Sequence, residues 1–229
     1  MNTLRTALVV SMFASPLYGA TTVFTDQLSW EAFATPQVTR ESFESELVGE
    51  LMSPTTLDSG LSVATSGAAV FMGVDTDDSP ANTFGLQNTT FFGHKYLRFG
   101  LGSANGNYTV GFSTPVQTNA FAFNLSGWQP EIAVVSGLGV RLLDNGVSVS
   151  NFFIPSDNYL DNVFFGFHDD VAFDEVRLDI YALPLGNPIV LRQDVVAFDD
   201  VAWAGVPEPT TLSILGMGAL MAFRRRRRG

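Results

Sequence analysis

The chain has 229 residues, 23 acidic and 12 basic, with no cysteine and 20 phenylalanines. Disulfides and cysteine-based metal or thiol chemistry are excluded, so stability rests on a packed core, for which aromatic side chains supply large apolar areas. Between residues 21 and 205 lie 22 of the acidic residues and six of the basic ones, so this body carries a net charge of −16, which argues against nucleic acid or anionic lipid as its partner.

Met1 to Ala20 has one early arginine, Arg5, an apolar run from Ala7 to Ala14 and a close of Pro16-Leu17-Tyr18-Gly19-Ala20. This is the outline of a secretory signal helix cut after Ala20, with bulky Tyr18 the departure from the small-residue rule. Residues 21–205 then form one body of single-domain size. The pattern predicts one or two helical turns at Ser29–Ala34, capped by Ser29, with Trp30 and Phe33 on one face. Elsewhere short apolar segments alternate with Gly, Asn, Ser and Thr, which predicts strands. Phe43 is expected on a strand, opposed to Ser42 and Glu44. Leu61–Val74 reads as one strand or two with a break at Gly67, and Asp75–Pro80 as an acidic turn. Tyr96–Leu101 and Tyr108–Phe112 read as a hairpin across Asn105-Gly106-Asn107.

In the second half, Phe121, Phe123 and Leu125 alternate with Ala122 and Asn124 up to Gly127-Trp128-Gln129-Pro130. Asn145-Gly146 predicts a type I′ hairpin joining Gly139–Asp144 to Val147–Phe153, with Leu142 opposite Val149 and Leu138 opposite Phe153. Val171–Val176 and Val196–Val201 repeat one pattern, too few copies for a solenoid. The fold class is therefore all-β, a two-sheet antiparallel β-sandwich of jelly-roll type, with the immunoglobulin-like arrangement not separable by spacing.

Residues 206–229 form a third unit. Val206-Pro207-Glu208-Pro209 is held extended by its prolines, the 14 residues Thr210–Phe223 are apolar, and Arg224, Arg225, Arg226, Arg227 and Arg228 close the segment. As a transmembrane sorting helix the apolar run reaches roughly 21 Å against roughly 30 Å of hydrocarbon, a marginal and transient span assisted by snorkelling arginines. The arginines stay cytoplasmic and leave the body outside. This tripartite tail resembles the C-terminal signal of PEP-CTERM proteins. The resemblance implies recognition by an exosortase, cleavage near Pro207-Glu208-Pro209 and release to the cell surface or extracellular matrix; a permanent tail anchor is the alternative. The body, from Ser42-Phe43-Glu44 to Phe198-Asp199-Asp200-Val201, resembles jelly-roll carbohydrate-binding modules.

Three chemistries are open to the body. Glu44 and Asp199 or Asp200 converge on a structural calcium if an early strand pairs with the last, as the resemblance also implies; Asp75, Asp77 and Asp78 lack the later ligands of an EF-hand loop. Trp128 and Gln129, with Tyr108, Asn158 and Tyr159, offer stacking and hydrogen bonding to a polysaccharide. For catalysis, His168-Asp169-Asp170 stands without a nucleophile elbow or second metal-spaced histidine, so it reads as a polar loop histidine. Three sequons, at Asn88, Asn107 and Asn124, carry little weight. The leading expectation is a non-catalytic exported sandwich acting in the polysaccharide matrix. A secreted glycan hydrolase and a self-associating envelope protein are the alternatives.

Overall fold

The computed structural model describes residues 20–34, 37–67, 70–76, 94–101, 106–126, 137–155, 163–182 and 195–206. Their elements, in chain order, are β1 (Thr21–Phe24), α1 (Gln27–Phe33), β2 (Val38–Glu41), β3 (Gly49–Glu50), β4 (Thr55–Thr56), β5 (Ser62–Gly67), β6 (Val70–Thr76), β7 (Lys95–Leu101), β8 (Gly106–Ser126), β9 (Gly137–Asp144), β10 (Val147–Pro155), β11 (Val163–Ala182) and β12 (Val195–Gly205). Every strand pair is antiparallel, and the main path runs β10-β9-β11-β8-β12-β7-β6-β3.

Two long strands let this sheet fit a β-sandwich. The first half of β8 pairs with β5 and with the second half of β11; its second half pairs with β12 and with the first half of β11. Between the halves the β8–β11 register breaks at His168/Phe173 and Phe173/Glu175, where bulges bend strands. The two halves then face each other across an aromatic core. Phe112 on the first half lies 5.4 Å from Phe198 and 6.5 Å from Phe99 on the second, and Phe152 of β10 lies 5.4 Å from Phe167. These inward rings come from alternate strand positions, so period-two patterning places them together. Each fully buried ring contributes about 2–3 kcal/mol of transfer free energy.

Several local expectations change. The N-cap of α1 is Asp26, whose Oδ2 accepts from the Ser29 N–H at 2.8 Å; the helix starts at Gln27, ahead of the expected Ser29. Trp30 is fully buried and Phe33 is 61% exposed, so they do not share a buried face. Trp30 lies on Gly166, where a Cβ would come within 2.5 Å of its ring, and donates from Nε1 to the Phe167 carbonyl at 3.3 Å. Strand β2 ends at Glu41, and Phe43 sits fully buried in the following turn at φ 59°. The carboxylate of Glu41 accepts from the Phe43 N–H at 2.7 Å and holds that left-handed residue in place.

Gly67 ends β5 as expected. Strands β7 and β8 do not form a hairpin: β7 pairs with β6 and β12, because the start of β8 belongs to the other half of the sheet. The β9–β10 hairpin does form, with Asn145 at φ 50° and Gly146 at φ 79°. Its register differs from the simple two-residue expectation. A bulge between Ser148 and Ser150 sets Leu142 opposite Ser150 and Leu138 opposite Ile154. That extra residue turns Phe152 and Ile154 toward the core and leaves Phe153 49% exposed.

Candidate functional site

The strands β8, β12, β7 and β6 carry the aromatic core on one face. Their opposite face is a polar floor. Opposite pairing aligns Ser126 with Ala197, Ala197 with Arg98, and Arg98 with Gly73. Beside this row Asn124 pairs with Asp199, and Tyr96 pairs with Asp75. Strand alternation dictates the placement: Phe123, Leu125, Phe198, Leu97, Phe99, Met72 and Val74 point inward, so the residues between them point outward. Small residues occupy the middle of the floor. Ala197 adds little bulk, and a Cβ on Gly73 would meet the Gly49 carbonyl at 2.6 Å.

This outward face is nevertheless buried: Tyr96, Asn124, Ser126, Asp75 and Asp199 are all under 4% exposed. Asp75 makes an ion pair with Arg98 at 2.9 Å, and its other oxygen accepts from the Thr76 N–H at 2.9 Å. Among the buried polar atoms of this floor that lack a hydrogen-bond partner among the described residues are the Asn124 Oδ1 and the Ser126 Oγ. A buried acceptor left unpaired costs about 1–3 kcal/mol, so two adjacent ones mark a place where a partner is wanted. Floor and orphans together offer donors, acceptors, one phenol ring and one guanidinium.

At one end the floor meets an acidic corner. Strand β2 pairs with β12, Glu41 opposite Val201, so an early strand does adjoin the last one. Asp200 sits in a β12 bulge at φ 48°, its N–H bonded to the Asp199 carboxylate at 2.7 Å and its own Oδ2 3.5 Å from Asn124 Nδ2. Burial raises the Asp200 carboxyl to about 6; Arg40 and the Asn124 amide pull it down, and Glu44 pushes it up. Glu44 is exposed, and one oxygen accepts both the His94 and Lys95 N–H groups at 2.7 Å. Lys95 completes the latch by donating from Nζ to the Glu44 and Glu46 carbonyls, each at 2.7 Å. Among the described residues no group of three or more acidic or histidine side chains is placed to hold a metal. Glu44 thus acts on Asp200 through its field while anchoring the start of β7.

His168 is on a strand, not in a loop, and its Nε2 lies 3.2 Å from Asn119 Nδ2. Asp169, the next residue along the strand, points to the opposite side and accepts from Thr21 and from the Val171 N–H. It does not orient His168, which is near Asn119 instead. The sequon asparagine Asn124 is part of the buried floor.

Trp128, Gln129, Asp77, Asp78, Asn158, Tyr159, residues 1–19, Pro207, Glu208, Pro209 and Arg224–Arg228 lie outside the described residues. Val206 is described: it follows β12, and its N–H donates to the Gln117 carbonyl at 3.0 Å. No helix among the described residues is long and apolar enough to cross a membrane. Sequence reasoning missed Tyr96, Arg98 and Ser126 as site residues and placed Asp75 in a turn, though it lies on β6. The alternation in Phe121–Ser126 carried a signal for Asn124, since it set a polar residue between Phe123 and Leu125; what buries that face has no local signature.

No curated protein matches the chain in sequence. Among solved structures it is similar to the family 11 carbohydrate-binding module from Clostridium thermocellum in complex with a mixed-linked tetrasaccharide, at 9% identity and TM-score 0.36 over 75% of this chain and 97% of that one. It is similar to the K2 cleaved adhesin domain of Lys-gingipain, at 11% identity and TM-score 0.42 over 74% and 98%. It is also similar to the enzymatically active domain of bacteriophage CBA120 tailspike protein 4, at 12% identity and TM-score 0.34, over 64% of this chain but only 19% of that one. The tail is matched by the family model of the PEP-CTERM protein-sorting motif, and the chain carries that motif at residues 205–228.

Proposed function

We propose that this chain is exported, delivered to an exosortase by its tail and cut near Pro207-Glu208-Pro209. Its two-sheet, jelly-roll-like body then binds extracellular polysaccharide at the cell surface or in the matrix without catalysis. The sorting motif supports the route. The polar floor supports the binding, and one observation carries it: an amide oxygen and a hydroxyl, buried side by side on a sheet face, have no partner. A polyhydroxylated ligand supplies donors and acceptors at such a spacing. Trp128 follows Ser126 by two positions in the sequence. It and Gln129 are the aromatic and amide groups we assign to the rim.

The test is co-sedimentation of the purified protein with matrix polysaccharide from the producing cells, followed by a reducing-end assay. Retention without new reducing ends is expected. Retention with release of reducing ends replaces this reading by a hydrolase. No retention, with sedimentation of the protein alone rising with concentration, replaces it by the self-associating envelope protein.

A structural calcium is a second reading, favoured by the two successive buried carboxyls Asp199 and Asp200 at the β12 bulge. Asp199 and Asp200 would hold it, fewer protein oxygens than calcium takes, with Glu44 adding negative field. The ion would neutralise buried charge. A melting temperature equal in excess EDTA and in millimolar calcium at pH 7.5 removes this reading.

A further inference from the structure

The other buried carboxylate of interest lies on the far side of the sheet, at the start of the described chain. Asp169 is fully buried. Its Oδ2 accepts from the Thr21 hydroxyl at 2.5 Å and its Oδ1 from the Val171 N–H at 2.8 Å. The same Thr21 hydroxyl lies 2.5 Å from Ser150 Oγ, at the bulge of β10. Thr21 is therefore a clasp between three strands: it begins β1, pairs with Asp169 of β11 and reaches β10. Among the described residues no cation is within ion-pair distance of Asp169. A buried carboxylate with two neutral donors still lacks a counter-charge, which buried charges otherwise find.

We propose that the peptide bond between Ala20 and Thr21 is hydrolysed on export and that the α-ammonium released at Thr21 becomes the ion-pair partner of Asp169. This inference rests on the export reading above. The step is ordinary hydrolysis by a membrane-bound export endopeptidase. Water adds across the bond, the Ala20 carbonyl carbon takes the hydroxyl, the C–N bond breaks, and the Thr21 nitrogen leaves as an amine that is protonated near neutral pH. Geometry brings this charge to the right place. In threonine the backbone nitrogen lies roughly 3 Å from the side-chain oxygen, and that oxygen already touches the carboxylate. Ala20 is exposed, so the bond precedes the clasp and stays open to the protease. The fold thus makes a distinction between precursor and mature chain. Before the cut, Thr21 brings Asp169 only a neutral hydroxyl; after it, a charge locks β1 onto β11.

The experiment uses the full-length chain expressed with its leader in an exporting host. Intact mass gives the first residue in the membrane and extracellular fractions. The mature protein is then acylated at its α-amine near pH 7. The chain has a single lysine, Lys95, whose two carbonyl contacts keep it largely unreactive. We expect a first residue of Thr21 and a melting temperature lowered by roughly 2–6 °C on acylation. In Asp169→Asn that difference should vanish. Should this variant not fold, the comparison of free and acylated natural protein stands alone. A mature chain beginning at any other residue, or equal melting of the free and acylated forms, overturns the proposal while leaving export intact. A chain that keeps Met1 in every fraction overturns the export reading itself.

Discussion

The folded sheet has two outer faces, and they solve the same problem differently. On the face of β11, β9 and the start of β8, charges are paired and partly open to water. Arg141 grips Asp179 through two bonds of 2.8 and 2.7 Å, Thr109 adds a third to the same carboxylate at 2.7 Å, and Arg177 pairs with Glu175 at 2.6 Å. Each of these charged groups has its partner. On the face of β8, β12, β7 and β6 the polar residues are buried and incompletely partnered, and small residues hold the centre. A solvated face gains little from being precise, because exposed ion pairs contribute only about 0–1 kcal/mol each. A buried face with orphaned acceptors loses stability unless something meets them. The first face is therefore a surface, and the second is the place to look for a ligand.

Substitutions can break or sharpen this contrast. The largest effect belongs to the core that both faces share. Phe198→Ala removes ring contacts at 5.5 Å to Phe99, 5.4 Å to Phe112 and 5.3 Å to Phe123, and should cost about 3–5 kcal/mol in denaturant unfolding. Next comes the acidic corner. Asp200 titrates near 6 when folded, above the ordinary value of 3.8. An acid with a raised folded pKa binds its proton more tightly when folded, so its penalty is absent below about pH 4, grows as pH rises and is complete above about pH 6. Asp200→Asn should therefore raise stability by about 1–2 kcal/mol at pH 7.5 in EDTA and leave it unchanged at pH 4, as read by thermal melting. If calcium binds there, millimolar calcium reverses the sign at pH 7.5. The smallest effect belongs to the solvated face: Asp179→Ala should cost at most about 1 kcal/mol, a cost that added salt shrinks.

How much of this was legible in the sequence depends on how local the cause is. The Asn145-Gly146 turn was legible because two residues with φ > 0 encode it. The register beyond it was not. The bulge at Val149 answers to the distant demand that Phe152 and Ile154 reach the core, so tertiary packing overrides a two-residue rule. Trp30 was legible as a helical apolar residue, yet its socket on Gly166 involves a strand more than a hundred residues away. Glu44 follows β2, which pairs with β12, and its charge acts on Asp200. The turn after β2, held by Glu41 and Phe43, commits Glu44 to the backbone of His94 and Lys95. The floor itself was half-legible: alternation sorts Asn124 from its aromatic neighbours, but nothing local brings it beside Asp199.

The most direct test of the central claim compares the two outer faces in one binding assay. Matrix polysaccharide is immobilised in an affinity gel, and the natural protein is run beside Asn124→Leu on the buried floor and Asp179→Asn on the solvated face, with far-UV circular dichroism confirming that all three are folded. The account predicts retardation of the natural protein and of Asp179→Asn, and loss of at least about tenfold in affinity for Asn124→Leu, as a hydrogen-bonding position of roughly 1.4 kcal/mol or more requires. Equal retardation of all three, or loss only in Asp179→Asn, would contradict it.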